Sequence, residues 1–269
     1  MAEYRLKLRD DEVAHYHEQG FLVPDFKLDD DALSALRECY DQLLAINPDI
    51  PSDLMLGPHM TTPGAQGVVG SDRWMQFAEH PVLLDIAEQL VGEDLILWGT
   101  TIFGKPARCG KETPWHQDGD YYPIRPLETL TIWIAIDDTT VENGCMRYIP
   151  GSHKARKIFS HHWEENDQLV INKVCDEEHY DENQAFDLEL QAGQVSFHDV
   201  YMIHGSGANN TDRRRAALII RLMPGSCHYD HHLGDELAEP HQAHDYGNRP
   251  LFLLRGADRT GKNDFNIGH

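Results

Sequence analysis

The sequence lacks a disulfide framework: its five cysteines, Cys39, Cys109, Cys145, Cys175 and Cys227, are odd in number, widely spaced and form no CxxC pair. That argues against a stapled secreted fold and a zinc knuckle, and it fits a reducing cytoplasm. Positive charge is scarce as well. Lys and Arg number 23 against 45 Asp and Glu, a formal net charge of -22. Such a field repels phosphate backbones and anionic membrane surfaces, and the one dense basic run, Arg213 to Arg215, does not make a nucleic-acid groove. No stretch approaches the roughly 18 uninterrupted apolar residues of a membrane span, and Met1 to Asp11 is charged where a signal peptide is apolar. Asn266 to His269 carries no peroxisomal tripeptide. Internal repeats and low-complexity linkers are missing too. The expectation is one cytoplasmic domain over 1–269, with no nucleic-acid or membrane partner.

What is present reads as a folded chain, since 41% hydrophobic and 25% charged residues are ordinary for a globular protein. The first part is helical in pattern. Asp10 or Asp11 is a candidate cap before Val13 to Gln19, with Gly20 as the stop. Asp29 to Asp31 precede Leu33, Leu36, Tyr40, Leu43 and Leu44 at helical spacing, and Asn47-Pro48 ends that run. A third helix is predicted from about Pro81 to Leu90, closed by Gly92.

From Leu95 onward short apolar runs are broken by Gly, Pro and Asn, which predicts strands: Leu95 to Phe103, Leu130 to Ile136, Met146 to Ile149, Ala185 to Leu190, Gln194 to Phe197 and Ala216 to Leu222. Ser160 to Asn183 is long for a connector and reads as a lid or an insertion. The fold class is mainly β with flanking helices: helices over about 10–92 packing on a β core over about 95–223, and a tail over 224–269.

Three His-x-Asp triplets occur. A chelating pair at i and i+2 suits a strand end, where alternate side chains reach the same face. His116-Gln117-Asp118 sits between strong strand candidates, with Pro114 before it and Gly119 after. His179-Tyr180-Asp181 lies in a polar loop among glutamates, which favours a solvated histidine. His228-Tyr229-Asp230 follows the last strand, beside His231 and His232. The first is therefore the candidate metal pair. His204, after an apolar strand and before a glycine-containing turn, is the candidate third ligand, a satisfied core histidine being the plain alternative. Two histidines and one carboxylate with open positions suit non-haem Fe(II) oxygenases, whereas structural zinc prefers a closed shell. Arg215 enters the strand Ala216 to Leu222, and its planar fork matches a carboxylate.

These motifs resemble the phytanoyl-CoA dioxygenase family of 2-oxoglutarate-dependent oxygenases. The resemblance rests on Trp115-His116-Gln117-Asp118, on Asn143-Gly144-Cys145-Met146-Arg147-Tyr148-Ile149-Pro150-Gly151-Ser152-His153-Lys154, and on His204-Gly205-Ser206-Gly207-Ala208-Asn209-Asn210 with the arginines that follow. It implies a double-stranded β-helix, the cupin-like jelly roll. It implies Fe(II) on His116, Asp118 and His204, 2-oxoglutarate and O2 as cosubstrates, and Arg215 with Ser206 on the distal carboxylate. Gln117, Trp133, Thr101 and Lys105 match positions near the cosubstrate in relatives. Arg213 and Arg214 compete for the anchor role and read as solvated. Related halogenases lack the carboxylate ligand, so Asp118 implies hydroxylation, with 2-oxoglutarate decarboxylated to succinate and CO2.

The segment Asn143 to Lys154 reads as a scaffold turn. Asp120, Tyr121, Tyr122 and Arg125, following the ligand pair, are candidate substrate contacts, with packing and surface pairing as the alternatives. The substrate class is a small metabolite, a free one in preference to a coenzyme A thioester whose phosphates want basic contacts. His228 to His244 and Arg249 to Asp264 are candidates for a lid. Two other classes share the features: a zinc-dependent hydrolase with the same ligands, which has no need of Arg215, and a non-catalytic cupin-like binding protein.

Overall fold

The computed structural model describes residues 6–237 and 246–269. The predicted helices form, with shifted ends. Helix α1 runs Asp10–Gln19, α2 Asp30–Ile46, α3 Met75–Ala78, α4 Pro81–Val91 and α5 His231–Leu237. The cap of α1 is Arg9, in place of either aspartate: its extended backbone donates to Glu12 Oε2 at 2.8 Å, and Asp10 and Asp11 fall in the first turn, where negative charge favours the helix dipole. Asp29 caps α2 by accepting from the Ala32 amide at 2.8 Å. Leu33, Leu36, Tyr40 and Leu43 form the buried stripe of α2, as their spacing predicts.

Among the described residues fifteen strands follow or interleave: β1 Phe21–Leu22, β2 Met55–Leu56, β3 Leu95–Lys105, β4 Thr113–His116, β5 Ile124–Arg125, β6 Leu130–Ala135, β7 Met146–Tyr148, β8 His161–Trp163, β9 Lys173–Cys175, β10 Phe186–Leu188, β11 Val195–Asp199, β12 His204–Ser206, β13 Arg215–Pro224, β14 His228–Tyr229 and β15 Phe252–Arg255. A seven-stranded sheet has the order β1-β11-β6-β13-β3-β15, with β2 also on β3, and a four-stranded sheet has the order β10-β7-β12-β4. Every pairing within them is antiparallel. The two sheets enclose the site, in the jelly-roll manner.

The period of two along each strand sorts the large sheet into two unlike faces. On one, Ile132, Ile134, Phe197, Leu218, Ile220 and Leu222 share a core with Leu36 and Leu43 of α2 and Leu83 and Ile86 of α4. On the other, His198, Thr131, Arg221 and Gly99 lie in one cross-strand row and Ser196, Trp133, Ile219 and Thr101 in the next. This polar face looks toward the small sheet.

Two regions differ from the sequence reading. Ser160 to Asn183 contains the hairpin β8-β9, whose strands are too short and polar to carry a strand pattern. The tail divides: β15 pairs with β3 at the sheet edge, and Arg255 bridges to Asp85 and Glu88 of α4 at 2.7 Å each, so Phe252–Arg255 is anchored to the core. Residues 238–245 of the proposed lid, His241 and His244 among them, lie outside the described residues.

Candidate metal centre

His116 ends β4 and His204 begins β12, and the two strands pair with these residues in direct register. Their rings lie 4.2 Å apart between centroids. Each ring is oriented by its own strand: His116 Nδ1 bonds the Pro114 carbonyl at 2.8 Å and His204 Nδ1 the Met202 carbonyl at 3.0 Å. Those bonds leave Nε2 of both rings facing inward, as metal-ligating histidines require. Asp118 opens the turn after β4, with Oδ1 3.7 Å from His116 Nε2. One donor atom from each of His116, Asp118 and His204 lies within 4.8 Å of the others, and all three residues are buried. Among the described residues this is the one such cluster, and neither of the other two triplets joins it.

The donor set fits a divalent ion. Burial depresses the basicity of His204 well below the ordinary range, with His116 beside it adding to the effect, so the ring stays neutral and free to ligate. For Asp118, burial works against ionisation, but the charge of Arg221 and the nearby rings of His116 and His198 outweigh it and hold the carboxyl well below the usual range. His198, on the large sheet, has Nε2 3.9 Å from Asp118 Oδ2 and no hydrogen bond on that nitrogen. Its Nδ1 meets the Tyr148 hydroxyl at 3.0 Å.

Beyond the triad a cavity of about 430 Å³ is lined by Trp133, Ser206, Thr113, Met146 and Arg215. The arginine run resolves by strand geometry. Arg213 is exposed. Arg214, on the outward side, pairs with Asp137 at 3.2 Å and Asp41 at 2.7 Å. Arg215 points inward and is 2% exposed, with Cζ 5.4 Å from the centre of the Trp133 ring. Its one acceptor among the described residues is the Gly144 carbonyl, 3.0 Å from Nε. Burial pushes its pKa down to about 10. A guanidinium taken from water without a carboxylate is costly, and the cavity in front of it has the place for an anion. Gly144 sits at φ 77°, and a Cβ there would lie 2.3 Å from the Gly207 carbonyl, so the Asn143-Gly144 turn does more than build scaffold. It aims the anchor.

Other candidates fall elsewhere. Gln117 turns away from the cavity; its amide donates to Tyr201 O at 2.7 Å and Lys157 O at 3.1 Å and accepts from Phe159 N at 2.7 Å, tying down the neighbouring loop. Lys105 is buried with its ammonium on the Lys111 carbonyl, and burial depresses its pKa well below the usual lysine range. Thr101 lines a second chamber, of about 510 Å³, on the other side of His116 and Asp118. Tyr121 and Tyr122 line it too, whereas Asp120 pairs with Lys173 and the exposed Arg125 bonds carbonyls of its own turn. Sequence reasoning missed Arg221, His198, Trp98 and Arg249. The signal for Arg221 was present, since it lies six residues after Arg215 in the same apolar strand and so on the same face.

Known proteins point the same way. The chain is 26% identical over 233 residues to bovine peroxisomal phytanoyl-CoA dioxygenase, covering 80% of this chain and 68% of that protein. It is 31% identical over 165 residues to a probable alpha-ketoglutarate-dependent hypophosphite dioxygenase of Stutzerimonas stutzeri, covering 61% of this chain and 54% of that one. Among solved structures, the apo form of the non-heme monooxygenase ThoJ superposes with a TM-score of 0.71 at 27% identity, over 92% of this chain and 85% of that chain. The non-heme alpha ketoglutarate dependent carbocyclase SnoK, from nogalamycin biosynthesis, gives 0.65 at 27% identity, over 82% and 86%. The family model for phytanoyl-CoA dioxygenase (PhyH) matches residues 16–217, from the first helix through both candidate histidines to Arg215, and the chain belongs to that family.

Proposed function

We propose that this chain is an Fe(II)- and 2-oxoglutarate-dependent dioxygenase that hydroxylates a free small metabolite, with His116, Asp118 and His204 as iron ligands. The observation that carries the reading is Arg215: a buried cation with no ion pair among the described residues, in the same cavity as the three-ligand cluster. A hydrolase has no use for it. The bound iron, with 2-oxoglutarate and O2, supplies the oxidising chemistry, and 2-oxoglutarate leaves as succinate and CO2.

The chain's own residues do the rest. His116 and His204 offer Nε2 while their Nδ1–H groups donate to backbone carbonyls, and Asp118 offers a carboxylate oxygen. Arg215 and Ser206 take the distal carboxylate of the cosubstrate, and Trp133 walls its side. Gln117 and Lys105 act on the cavity from behind, by holding the loops at Phe159 and Lys111. The second chamber, with Thr101, Tyr121 and Tyr122, is the substrate side. Tyr246 and Arg249 also line it, which supports a covering role for that part of the tail, while the shared core of helices and large sheet supports one domain. A hypophosphite dioxygenase among the relatives supports a substrate free of coenzyme A. Five free cysteines, four of them buried, fit a cytoplasmic setting, and no described helix is long and apolar enough to cross a membrane.

The test is anaerobic addition of 2-oxoglutarate to the Fe(II) protein, followed by succinate release over a metabolite panel with mass gain of one oxygen. A charge-transfer band and a substrate that couples both readouts are expected. A protein that binds Zn(II), gives no band with Fe(II) and hydrolyses esters would overturn the assignment.

A further inference from the structure

The second chamber is lined by two guanidinium groups, Arg221 and Arg249, that form no ion pair with any described residue. Arg249 is 5% exposed, its Nε is buried without a hydrogen-bond partner, and its guanidinium makes no hydrogen bond or ion pair with any described residue. Its Cζ lies 5.6 Å from the centre of the Tyr246 ring. Arg221 is held by neutral hydroxyls, Tyr122 Oη at 2.8 Å from Nε and Thr101 Oγ1 at 2.7 Å from Nη1, and lies 5.9 Å from the Trp98 ring. Those two bonds leave donors of its five N–H groups unclaimed.

Carboxylates are not in short supply. The chain carries 45 acidic residues, and Arg147, Arg214, Arg255 and Arg259 each take two of them. Both arginines that line the chamber are excluded from that pattern. The acidic group lining it with them is Asp118, whose carboxylate Arg221 stabilises from a distance, but its oxygens face His116 and His198 and lie within ion-pair distance of neither arginine. A cation held away from water is costly unless something answers it, and no described carboxylate stands within ion-pair distance of Arg249 or Arg221. The remaining walls, Trp98, Tyr122, Tyr246, Leu54, Leu56 and Ile171, suit a mostly apolar body.

We propose that Arg221 and Arg249 form an anion-binding subsite for the substrate, so that the molecule presented to the metal triad is a small organic acid bearing a carboxylate or phosphoryl group. The inference rests on the assignment of this chamber to the substrate and of Arg215 to 2-oxoglutarate. The planar fork of arginine matches either oxyanion, and two of them across an aromatic-walled space fix both charge and orientation.

The experiment uses the full chain loaded with Fe(II) and saturating 2-oxoglutarate under anaerobic conditions, titrated at constant ionic strength with sodium acetate and, separately, sodium phosphate. The readouts are the melting temperature and the 2-oxoglutarate charge-transfer band. A saturable rise in Tm with either anion is expected; acetate alone marks a carboxylate site and phosphate alone a phosphoryl site. Arg249→Met should weaken that response at least tenfold and leave 2-oxoglutarate affinity within twofold, whereas Arg249→Lys should retain part of it. In the protein without anion, Arg249→Met should hold or raise Tm, since it removes an unanswered charge, while Arg255→Met, which breaks a true ion pair, lowers it. The inference is overturned if neither anion gives a saturable response, if Arg249→Met keeps the full response, or if that variant weakens 2-oxoglutarate tenfold, which would give the chamber to the cosubstrate. A wild-type protein without the band sinks the oxygenase reading separately, and the anion titration is scored without it.

Discussion

The two faces of the large sheet are made by the same strands and differ in almost everything else. Facing the helices, Ile132, Ile134, Leu218, Ile220 and Leu222 are completely buried and apolar. Facing the small sheet, alternate residues of the same strands include Thr131, Trp133 and Arg215, which are buried as well, and the half-buried Arg221, all carrying charge or hydrogen-bonding groups. Strand β13 shows the contrast within ten residues. One face contributes to folding by removing hydrocarbon from water, at roughly 25 cal/mol per Å². The other gives some of that back by burying cations, which it can sustain because the first face is so well packed. Stability and chemistry are thus separated by strand alternation and not by region of the chain.

Substitutions on the two faces should therefore move different observables. The largest effect is expected for Asp118→Ala on the site side, which should lower substrate-dependent succinate release by about 1,000-fold or more, about 4 kcal/mol in the barrier, without a matching loss in Tm. Undiminished turnover would break the comparison at its centre. Next, Leu218→Ala on the helix side should cost about 3 kcal/mol in urea unfolding while 2-oxoglutarate affinity stays within twofold. Then Arg215→Met should weaken 2-oxoglutarate by about 100-fold, about 2.7 kcal/mol, without the stability loss that breaking an ion pair brings; titration of the charge-transfer band checks it.

The last, read as a slope against pH, probes an exception on the helix side, where buried His59 contacts Thr100 of β3 at 2.8 Å. Burial first, then the nearby charges of Arg249 and His269, lower its pKa to about 3. Because the folded value lies below the unfolded one, the unfolded chain takes up the proton first. This contribution to stability is complete above about pH 6.5 and is lost as pH falls toward 3, with a slope of at most about 1.4 kcal/mol per pH unit. His59→Gln should flatten the acid limb of the stability curve by that amount, measured by urea unfolding between pH 7 and 4.

Much of this arrangement was legible from the residues. The apolar strands and the three main helices announce themselves by period, and His116-Gln117-Asp118 stood out from two equal triplets through its flanking strands. The strand His204–Ser206 was not legible, because three residues with a glycine carry no alternation; its pairing with β4 brings it into register. Gln117 shows the limit of carrying a role across relatives: its neighbours in sequence both face the site, and its own amide faces the loop at Phe159. Arg249 was invisible for a different reason. It lies in a stretch without period, 28 residues beyond Arg221, and reaches the chamber only after β15 docks on β3.

The sequence by itself determined the class of fold, the metal ligands to propose and one candidate anchoring arginine, because each depends on local spacing or on a short motif. Tertiary structure alone decided what the arginines face. A guanidinium is charged wherever it stands, but whether it answers a carboxylate of the chain, as Arg214 and Arg255 do, or waits on a cavity, as Arg215, Arg221 and Arg249 do, depends on which groups the packed sheets bring within reach. Distances of that kind are set across elements remote in the chain, and no spacing along it encodes them.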